Sequence, residues 1–512
     1  MQLGRVAEIS KVFLEEGLGL GDQSDTLEAA PPAGLDEQRA RRLRRALERL
    51  GPTFVKFGQM LATRVDLFGP EFLRELGKLR SQVPPFSTAE ARASIEKELG
   101  RAIEEVFAEF PDQPMASASI AQVYRARLRD EATWVAVKVQ RPRLQETLSS
   151  DLAVLIEVSR FVDRLVPAYH RSLVHRVAVE YAARARQEID FLAEANAMAR
   201  FQEVLETLPE FRVPAVRLDL CSERLLVMDW FDGPLLDEVE GPQRLREVGV
   251  EPRSLASAML RLQLGMSYEH GFVHGDTHPG NIILLPEGRF GLIDFGLHGT
   301  VPRRLCDKML ELLFYQSWGR TDEAVSAFLQ IFTPDPELDL EEFSRELKRV
   351  LTQNDARSAR DSKLTAQLVE GLRLGARYRL QAQSDLFVVI RNLTIVEGIV
   401  LTYCPDMDLI GEVREILGSI LQRRAFGTLM RGELKQVLPL SLLTLSQRPL
   451  LLDRMLRLER SFIDAQTLGE FLRHEGVLEP PKRVRALPPW LPLLFGVAGG
   501  VAASLALRWL LG

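Results

Sequence analysis

Val-Ala-Val-Lys at 135–138, His-Gly-Asp-Thr-His-Pro-Gly-Asn at 274–281 and Asp-Phe-Gly at 294–296 decide how this chain is read. The first puts a lysine at the end of an apolar strand. The second sets an asparagine five residues after an aspartate. The third is an aspartate followed by Phe-Gly. In that order these are the parts that hold nucleotide phosphates and a divalent cation. Each alone is weak evidence; the ordered set points to ATP chemistry. Phosphoryl transfer asks for positioning and charge neutralisation more than covalent chemistry. Lys138 is therefore expected to bind the α and β phosphates. Asp276 is expected to accept a hydroxyl proton or position the attacking oxygen. Asn281 and Asp294 would hold Mg2+, since oxygen ligands suit a hard cation. His274 reads as structural, and His278 as a cap on the loop.

The same order of motifs is found in protein kinases, and the residues around it show where this chain departs from that pattern. Lys138 needs a carboxylate to orient it. The segment Gln187-Glu188-Ile189-Asp190-Phe191-Leu192-Ala193-Glu194 offers three. Read as one helix, Asp190 and Glu194 share a face and Glu188 points elsewhere; spacing leaves the choice open. No Gly-x-Gly-x-x-Gly loop precedes the lysine strand. Its place is taken by Ala116, Ser117, Ala118, Ser119, Ile120, Ala121, Gln122 and Val123, which are the expected nucleotide contacts together with Met228 on the apolar stretch 225–230. Side chains restrict a backbone that glycine would leave free, so nucleotide geometry should differ from that of an ordinary kinase. The catalytic loop reads His-Gly-Asp, without the arginine that answers a phosphorylated activation segment, so switching by that route is not expected.

The chain has 512 residues, 46% of them hydrophobic and 27% charged, with a net charge of −6. That length predicts two to four structural units with packed cores. The charge argues against a general nucleic-acid binder. Cys221, Cys306 and Cys404 have no pairable or zinc-type spacing, which suits a reducing compartment.

Five regions are expected: an N-terminal helical extension over 1–85, a kinase-like N-lobe over 86–230, a C-lobe over 231–430, a helical tail over 431–486, and a transmembrane anchor over 488–511. Glu8, Glu15 and Glu16 interrupt the first twenty residues, which do not read as a secretory signal. Residues 20–35 read as a loop. Arg39, Arg41, Arg42, Arg44, Arg45 and Arg49 lie in a helical pattern, and they read as a solvated face or as a contact for anionic lipid headgroups. Gly51-Pro52-Thr53 opens a helix carrying Lys56, Gly58 and Gln59, and Pro84-Pro85 ends the extension. Ser87 to Phe110 reads as one helix, capped by Ser87 or Thr88. Leu491 to Leu507 carries no charge and lies between Trp490 and Trp509. A spanning helix needs roughly 17–25 apolar residues, so this run, at the short end, reads as a single span, with a buried C-terminal helix as the alternative. Lys482, Arg483 and Arg485 would keep the main domain on the cytoplasmic side of the cell inner membrane. Gly496 and Gly500 make a small-residue pair that could support a homodimer.

These departures together resemble the UbiB (AarF-domain) family of atypical kinases, over roughly residues 40–300. Leu-Gly-Pro-Thr-Phe-Val-Lys-Phe-Gly-Gln at 50–59 resembles the family's Lys-x-Gly-Gln signature. The stretch 116–124 resembles its alanine-rich loop, and Glu188-Ile-Asp190 with Glu194 its Glu-x-Asp motif and following glutamate. Thr-Arg-Val-Asp at 63–66 differs, since many members have proline in place of Val65. The resemblance implies an α+β, protein-kinase-like two-lobe fold with an N-terminal helical extension and a C-terminal transmembrane helix. It implies Glu194 as the partner of Lys138. It implies that Lys56 and Gln59 reach the nucleotide pocket near Glu188 and Asp190, a cover that would exclude a protein substrate. It also implies ATP or ADP and Mg2+ as cofactors, and membrane-stimulated ATP hydrolysis. The expected partners are membrane lipids, an isoprenoid quinone precursor and a lipid-biosynthesis complex. Ubiquinone or related lipid biosynthesis is the expected role. The alternatives are a Ser/Thr protein kinase and a nucleotide-binding scaffold.

Overall fold

The structure is a computed structural model that describes residues 2–16, 35–62, 64, 70–79, 85–165, 173–332, 339–352, 364–378, 380 and 382–430. The expected tail and transmembrane anchor, including Trp490, Gly496, Gly500 and Trp509, lie outside the described residues, as do Thr63, Val65 and Asp66. Residues 1–410 form one compact unit and 411–512 another; of the second, only 411–430, all but the first two residues of the helix Leu409–Met430, are described.

The described residues form an α+β fold with ten strands: β1 (Phe107–Glu109), β2 (Ala116–Ser117), β3 (Ala121–Leu128), β4 (Trp134–Gln140), β5 (Phe211–Arg212), β6 (Leu225–Asp229), β7 (Phe272–His274), β8 (Ile282–Leu285), β9 (Arg289–Leu292) and β10 (His298–Thr300). The N-lobe sheet has the order β1-β3-β4-β6, with β2 folded onto β3. Arg129-Asp130-Glu131 makes the turn between β3 and β4. Strand alternation puts Val135, Val137 and Val139 into a core with Tyr124, Phe107 and Val227. Ala136 and Lys138 therefore face the other way, toward the cleft.

The helix expected over 87–110 is shorter and broken. Ser87 and Glu90 form a reciprocal cap, as the sequence indicates, and the helix Thr88–Leu99 ends on Gly100 in the left-handed conformation. The chain then makes one short turn and enters β1. Gly100 supplies the positive φ that stops the helix, and this is why its pattern does not run on to Phe110.

The N-terminal helices do not form a separate layer. Leu47, Phe54, Phe57, Leu76 and Leu79 share one core with Leu152, Val177, Tyr181 and Ala182 from the helices Leu144–Leu165 and Leu173–Glu188. Tyr181 Oη donates to the carbonyl of Thr53 at 2.6 Å, and Arg5 bonds Asp151 at 2.8 Å. The arginine-rich pattern is the helix Leu35–Leu50. Within it Arg44 pairs with Glu48 and Glu75, Arg49 with Glu15 and Glu16, and Arg41 with Glu37.

The C-lobe is mainly helical. Its helix Pro252–Leu264 continues as a π-helical turn, Gly265–His270, closed by Gly271 at φ 62°, and delivers the chain into β7. Among the described residues, one helix, Asp385–Tyr403, is long and apolar enough to cross a membrane by length and composition. Most of it is buried in the protein, and Tyr403 Oη bonds the carbonyls of Leu236 and Val239, as suits a core helix.

Candidate active site

Lys138 lies on β4 between Val123 of β3 and Leu226 of β6. Its ammonium donates to both carboxylate oxygens of Glu194, at 2.8 and 2.9 Å, and lies 3.6 Å from Asp294 Oδ1. Burial alone would favour a neutral amine, but Asp294 and Glu194 outweigh it and hold Lys138 protonated, well above the ordinary lysine range. Glu194 is 1% exposed. Burial pushes its carboxyl up, and Lys138 and the Phe295 N–H at 3.3 Å oppose that push.

Glu194 reaches Lys138 because the segment 187–194 is not one helix. The helix Leu173–Glu188 ends, and Asp190 caps the next helix, Phe191–Leu205, by accepting from the N–H groups of Leu192 and Ala193 at 3.0 and 3.1 Å. The shared face expected for Asp190 and Glu194 is thus a correction: a capping aspartate lies outside helical geometry. Its Oδ1 serves the helix end, not a nucleotide. Glu188, which helical spacing alone turned elsewhere, pairs with Lys56, the neighbour that the resemblance implies for it. A side chain at Gly296 would meet Asp294 Oδ1 at 3.3 Å, the Glu188 Cγ at 3.6 Å and Glu194 Oε2 at 3.9 Å, so all three side chains border this glycine.

Asp294 keeps about half its side chain open to the cleft (47%). Burial would raise its pKa, but Lys138 and the Gly296 N–H at 3.0 Å hold it below the usual aspartate range. Phe295 is fully buried against Phe201 and His274, and this anchors the loop with Asp294 turned toward Lys138. Lys56 adds a further positive field at Asp294.

The catalytic loop follows β7. His274 is 2% exposed and accepts the Asp276 N–H on Nδ1 at 3.2 Å, which requires a neutral ring. Burial holds its pKa below the usual imidazole value. His274 is structural, as expected, and His278 caps the loop by accepting the Gly280 N–H at 3.2 Å. Asn281 Nδ2 donates to the Asp276 carbonyl at 3.0 Å, which leaves its amide oxygen for a ligand. The Asn281 carbonyl accepts the Ile293 N–H and so ties the loop to the Asp294 segment. Among the described residues no three His, Cys, Asp or Glu side chains gather as a metal cluster. Asp294 and Asn281 still fit Mg2+, which usually binds through one or two protein oxygens plus substrate phosphates.

The alanine-rich loop is held by a residue that carries no motif. Arg141 donates to the Ala118 carbonyl and Ser117 Oγ, both at 2.9 Å, and its own N–H donates to the Ile120 carbonyl. Register sorts the candidate contacts. Val123 lies opposite Lys138, and Met228 opposite Ala136, so both share the cleft face. Gln122 is a correction: it pairs with Val139 on the core face, fully buried, and bonds the Phe86 carbonyl and Tyr124 Oη. Gln59 is another, because its amide is spent on the Leu79 carbonyl inside the extension, at 3.1 Å.

Sequence reasoning missed two more residues. Arg391 donates to Asp276 Oδ1 at 3.0 Å, and the amide of Asn392 bonds the His274 carbonyl. Both lie on the helix Ser384–Tyr403, more than a hundred residues past the loop, where nothing but three-dimensional packing marks them.

Comparison with known proteins finds a family match and relatives over much of the chain. Residues 78–327 match the ABC1 atypical kinase-like domain. The chain is 32% identical over 384 residues to Protein Activity of BC1 complex kinase 3, chloroplastic, of Arabidopsis thaliana, covering 73% of this chain and 52% of that protein. It is 29% identical over 377 residues to the chloroplastic Activity of BC1 complex kinase 1 of the same plant (73% and 55%). It is also 29% identical over 412 residues to the uncharacterized protein sll0005 of Synechocystis sp. (80% and 59%). The chain thus spans little more than half the length of these relatives. In fold it is similar to Mycobacterium tuberculosis Rv3197, solved with erythromycin, with a TM-score of 0.50 and 24% identity, covering 73% of this chain and 95% of that one.

Proposed function

Because the chain carries an ABC1 atypical kinase-like domain of the UbiB type, we propose that it binds Mg-ATP and cleaves or transfers the γ-phosphoryl group in support of isoprenoid-quinone or related lipid biosynthesis at a membrane. The observation that carries the reading is the buried Lys138–Glu194 pair with Asp294 3.6 Å away and open to the cleft. A buried, doubly bonded lysine has a fixed ammonium position, which phosphate binding requires.

Lys138 would bind the α and β phosphate oxygens, with Glu194 holding it in place. Asp294 and the amide oxygen of Asn281 would hold Mg2+, which supplies charge neutralisation at the phosphates. Asp276 would take the proton of the attacking hydroxyl or water. Ala116 to Ala121, Val123 and Met228 would line the nucleotide. Lys56, on Glu188 and within the field of Asp294, closes the site from the extension side. That cover disfavours a Ser/Thr protein substrate and favours water or a small lipid acceptor. The kinase names of the plant relatives support phosphoryl chemistry and are silent on the acceptor.

The direct test is a thermal-shift titration with ADP and ATP, with and without Mg2+. Wild-type protein should be stabilised in a Mg2+-dependent way, and Asp294→Asn should lose that dependence. An unchanged titration in the variant would remove Asp294 from the metal site. Hydrolysis of ATP should be faster with anionic liposomes; equal rates would count against the membrane part of the proposal. Loss of the same quinone in a deletion strain and in a strain carrying Asp276→Asn would support catalysis, whereas rescue by the variant would favour a scaffold.

A further inference from the structure

The catalytic loop has no room for an arginine beside Asp276. Gly275 donates its N–H to the Leu297 carbonyl at 2.6 Å, just beyond the paired residues of β7 and β10. A Cβ on Gly275 would lie 2.5 Å from Leu297 Cγ and 2.8 Å from the Leu297 carbonyl oxygen. The second obstacle is backbone and cannot swing away, so no side chain fits here while the pairing holds.

A cation reaches Asp276 from the other direction. Arg391 donates from Nη2 to Asp276 Oδ1 at 3.0 Å. Its neighbour Asn392 is fully buried and bonds the His274 carbonyl. One edge of the helix Ser384–Tyr403 thus grips the loop on both sides of Gly275. The two grips differ in kind. Asn392 seals a buried carbonyl, as a structural tether does. Arg391 and Asp276 are both more than a third exposed (38% and 37%), and an ion pair so open to solvent contributes little to stability. It fixes, instead, which oxygen of Asp276 is free.

We propose that Arg391 is a positioning residue for Asp276: it holds Oδ1 so that Oδ2 is presented to the attacking hydroxyl. This rests on the reading of Asp276 as the base in phosphoryl transfer. In that step the hydroxyl oxygen bonds to the γ phosphorus, the bond from phosphorus to the β–γ bridging oxygen breaks, its electron pair leaves with ADP, and the hydroxyl proton passes to Oδ2. A carboxylate free to rotate would present either oxygen or neither, and loss of aim by about 1 Å can cost on the order of a hundredfold in rate.

The test uses the full chain and four variants: Arg391→Ala, Arg391→Lys, Asp276→Asn and the Arg391→Ala/Asp276→Asn double. ATP turnover, KM for ATP, Mg-ADP thermal shift and Tm are measured on each. Arg391→Ala should lower kcat about 10- to 100-fold while KM, Mg-ADP binding and Tm stay near wild type. Arg391→Lys should recover part of the rate, because it keeps the charge and loses the planar fork. In the double variant, Arg391→Ala should add nothing to the loss from Asp276→Asn, because the two act as one unit. Additive losses would overturn the assignment. So would a faster Arg391→Ala enzyme, which would make Arg391 a guard. A matching fall in Tm without the kinetic coupling would make it structural. If wild-type protein neither binds Mg-nucleotide nor turns it over, the ATP reading itself falls and takes this assignment with it.

Discussion

Glu194→Gln isolates one charge at the centre of the site. The substitution keeps the shape of the side chain and one acceptor oxygen, but it leaves Lys138, with 10% of its side chain exposed, without its closest counter-charge. Breaking a buried pair by removing one partner costs about 3–5 kcal/mol. Here a second carboxylate limits the damage. Coulomb attraction falls as the inverse of distance, so Asp294 at 3.6 Å offers Lys138 about four-fifths of the attraction that Glu194 offers at 2.8–2.9 Å. The expected loss is therefore at the low end, about 3 kcal/mol, and appears as a fall of several degrees in Tm. The same compensation has a functional cost. On the proposed reading, Lys138 would be drawn toward Asp294 and away from the phosphates, and Asp294 away from Mg2+. Affinity for Mg-ADP should fall at least about tenfold, equivalent to about 1.4 kcal/mol. Differential scanning fluorimetry gives Tm, and titration calorimetry gives the affinity. A variant with wild-type Tm and wild-type Mg-ADP affinity would show that Glu194 does not set the position of Lys138, and the account of the site would be wrong at its centre.

Two other glycines make matching predictions. At Gly58 an added Cβ would meet Leu79 and lie 2.6 Å from Leu47 Cδ1, and both leucines are buried. Gly58→Ala should cost about 1–3 kcal/mol by overpacking, seen as a lower Tm and as faster proteolysis of the N-terminal helices before the rest of the chain. Gly275→Ala meets the Leu297 carbonyl at 2.8 Å and should part β7 from β10. Turnover and Mg-ADP affinity should both fall, because the loop carries Asn281 as well as Asp276 and Leu297 closely follows Asp294; wild-type values of both would refute this.

Much of the site was legible because its residues come as short motifs with fixed spacing. Asp276 and Asn281 lie on one tight loop, so five residues of separation brought them together without any tertiary knowledge. Lys138 was legible from strand alternation next to three core valines. Legibility ended where one residue changed the local geometry. Asp190 was counted as a helical position, but a short polar side chain there caps the following helix, and the break undid the shared face expected for Asp190 and Glu194. Gln122 lies inside the alanine-rich motif, yet strand parity turns it to the core. Arg141, Arg391 and Asn392 act on the motifs from outside them, through carbonyls and a carboxylate that no linear pattern marks. Of the arginine-rich helix, composition showed the charge but not the glutamates at 15, 16, 37, 48 and 75 that answer it.

The shared core of the N-terminal helices and the helix Leu173–Glu188 has a kinetic consequence. In a site roofed by a loop, a product escapes when the loop swings. Here the roof carries Lys56, and its underside is Phe54 and Phe57 packed on Tyr181 and Val177. On the proposed reading, that roof could lift only by parting these buried apolar surfaces. The residence of a spent nucleotide would then follow the cohesion of that seam, and a cavity made at Phe54 should shorten it.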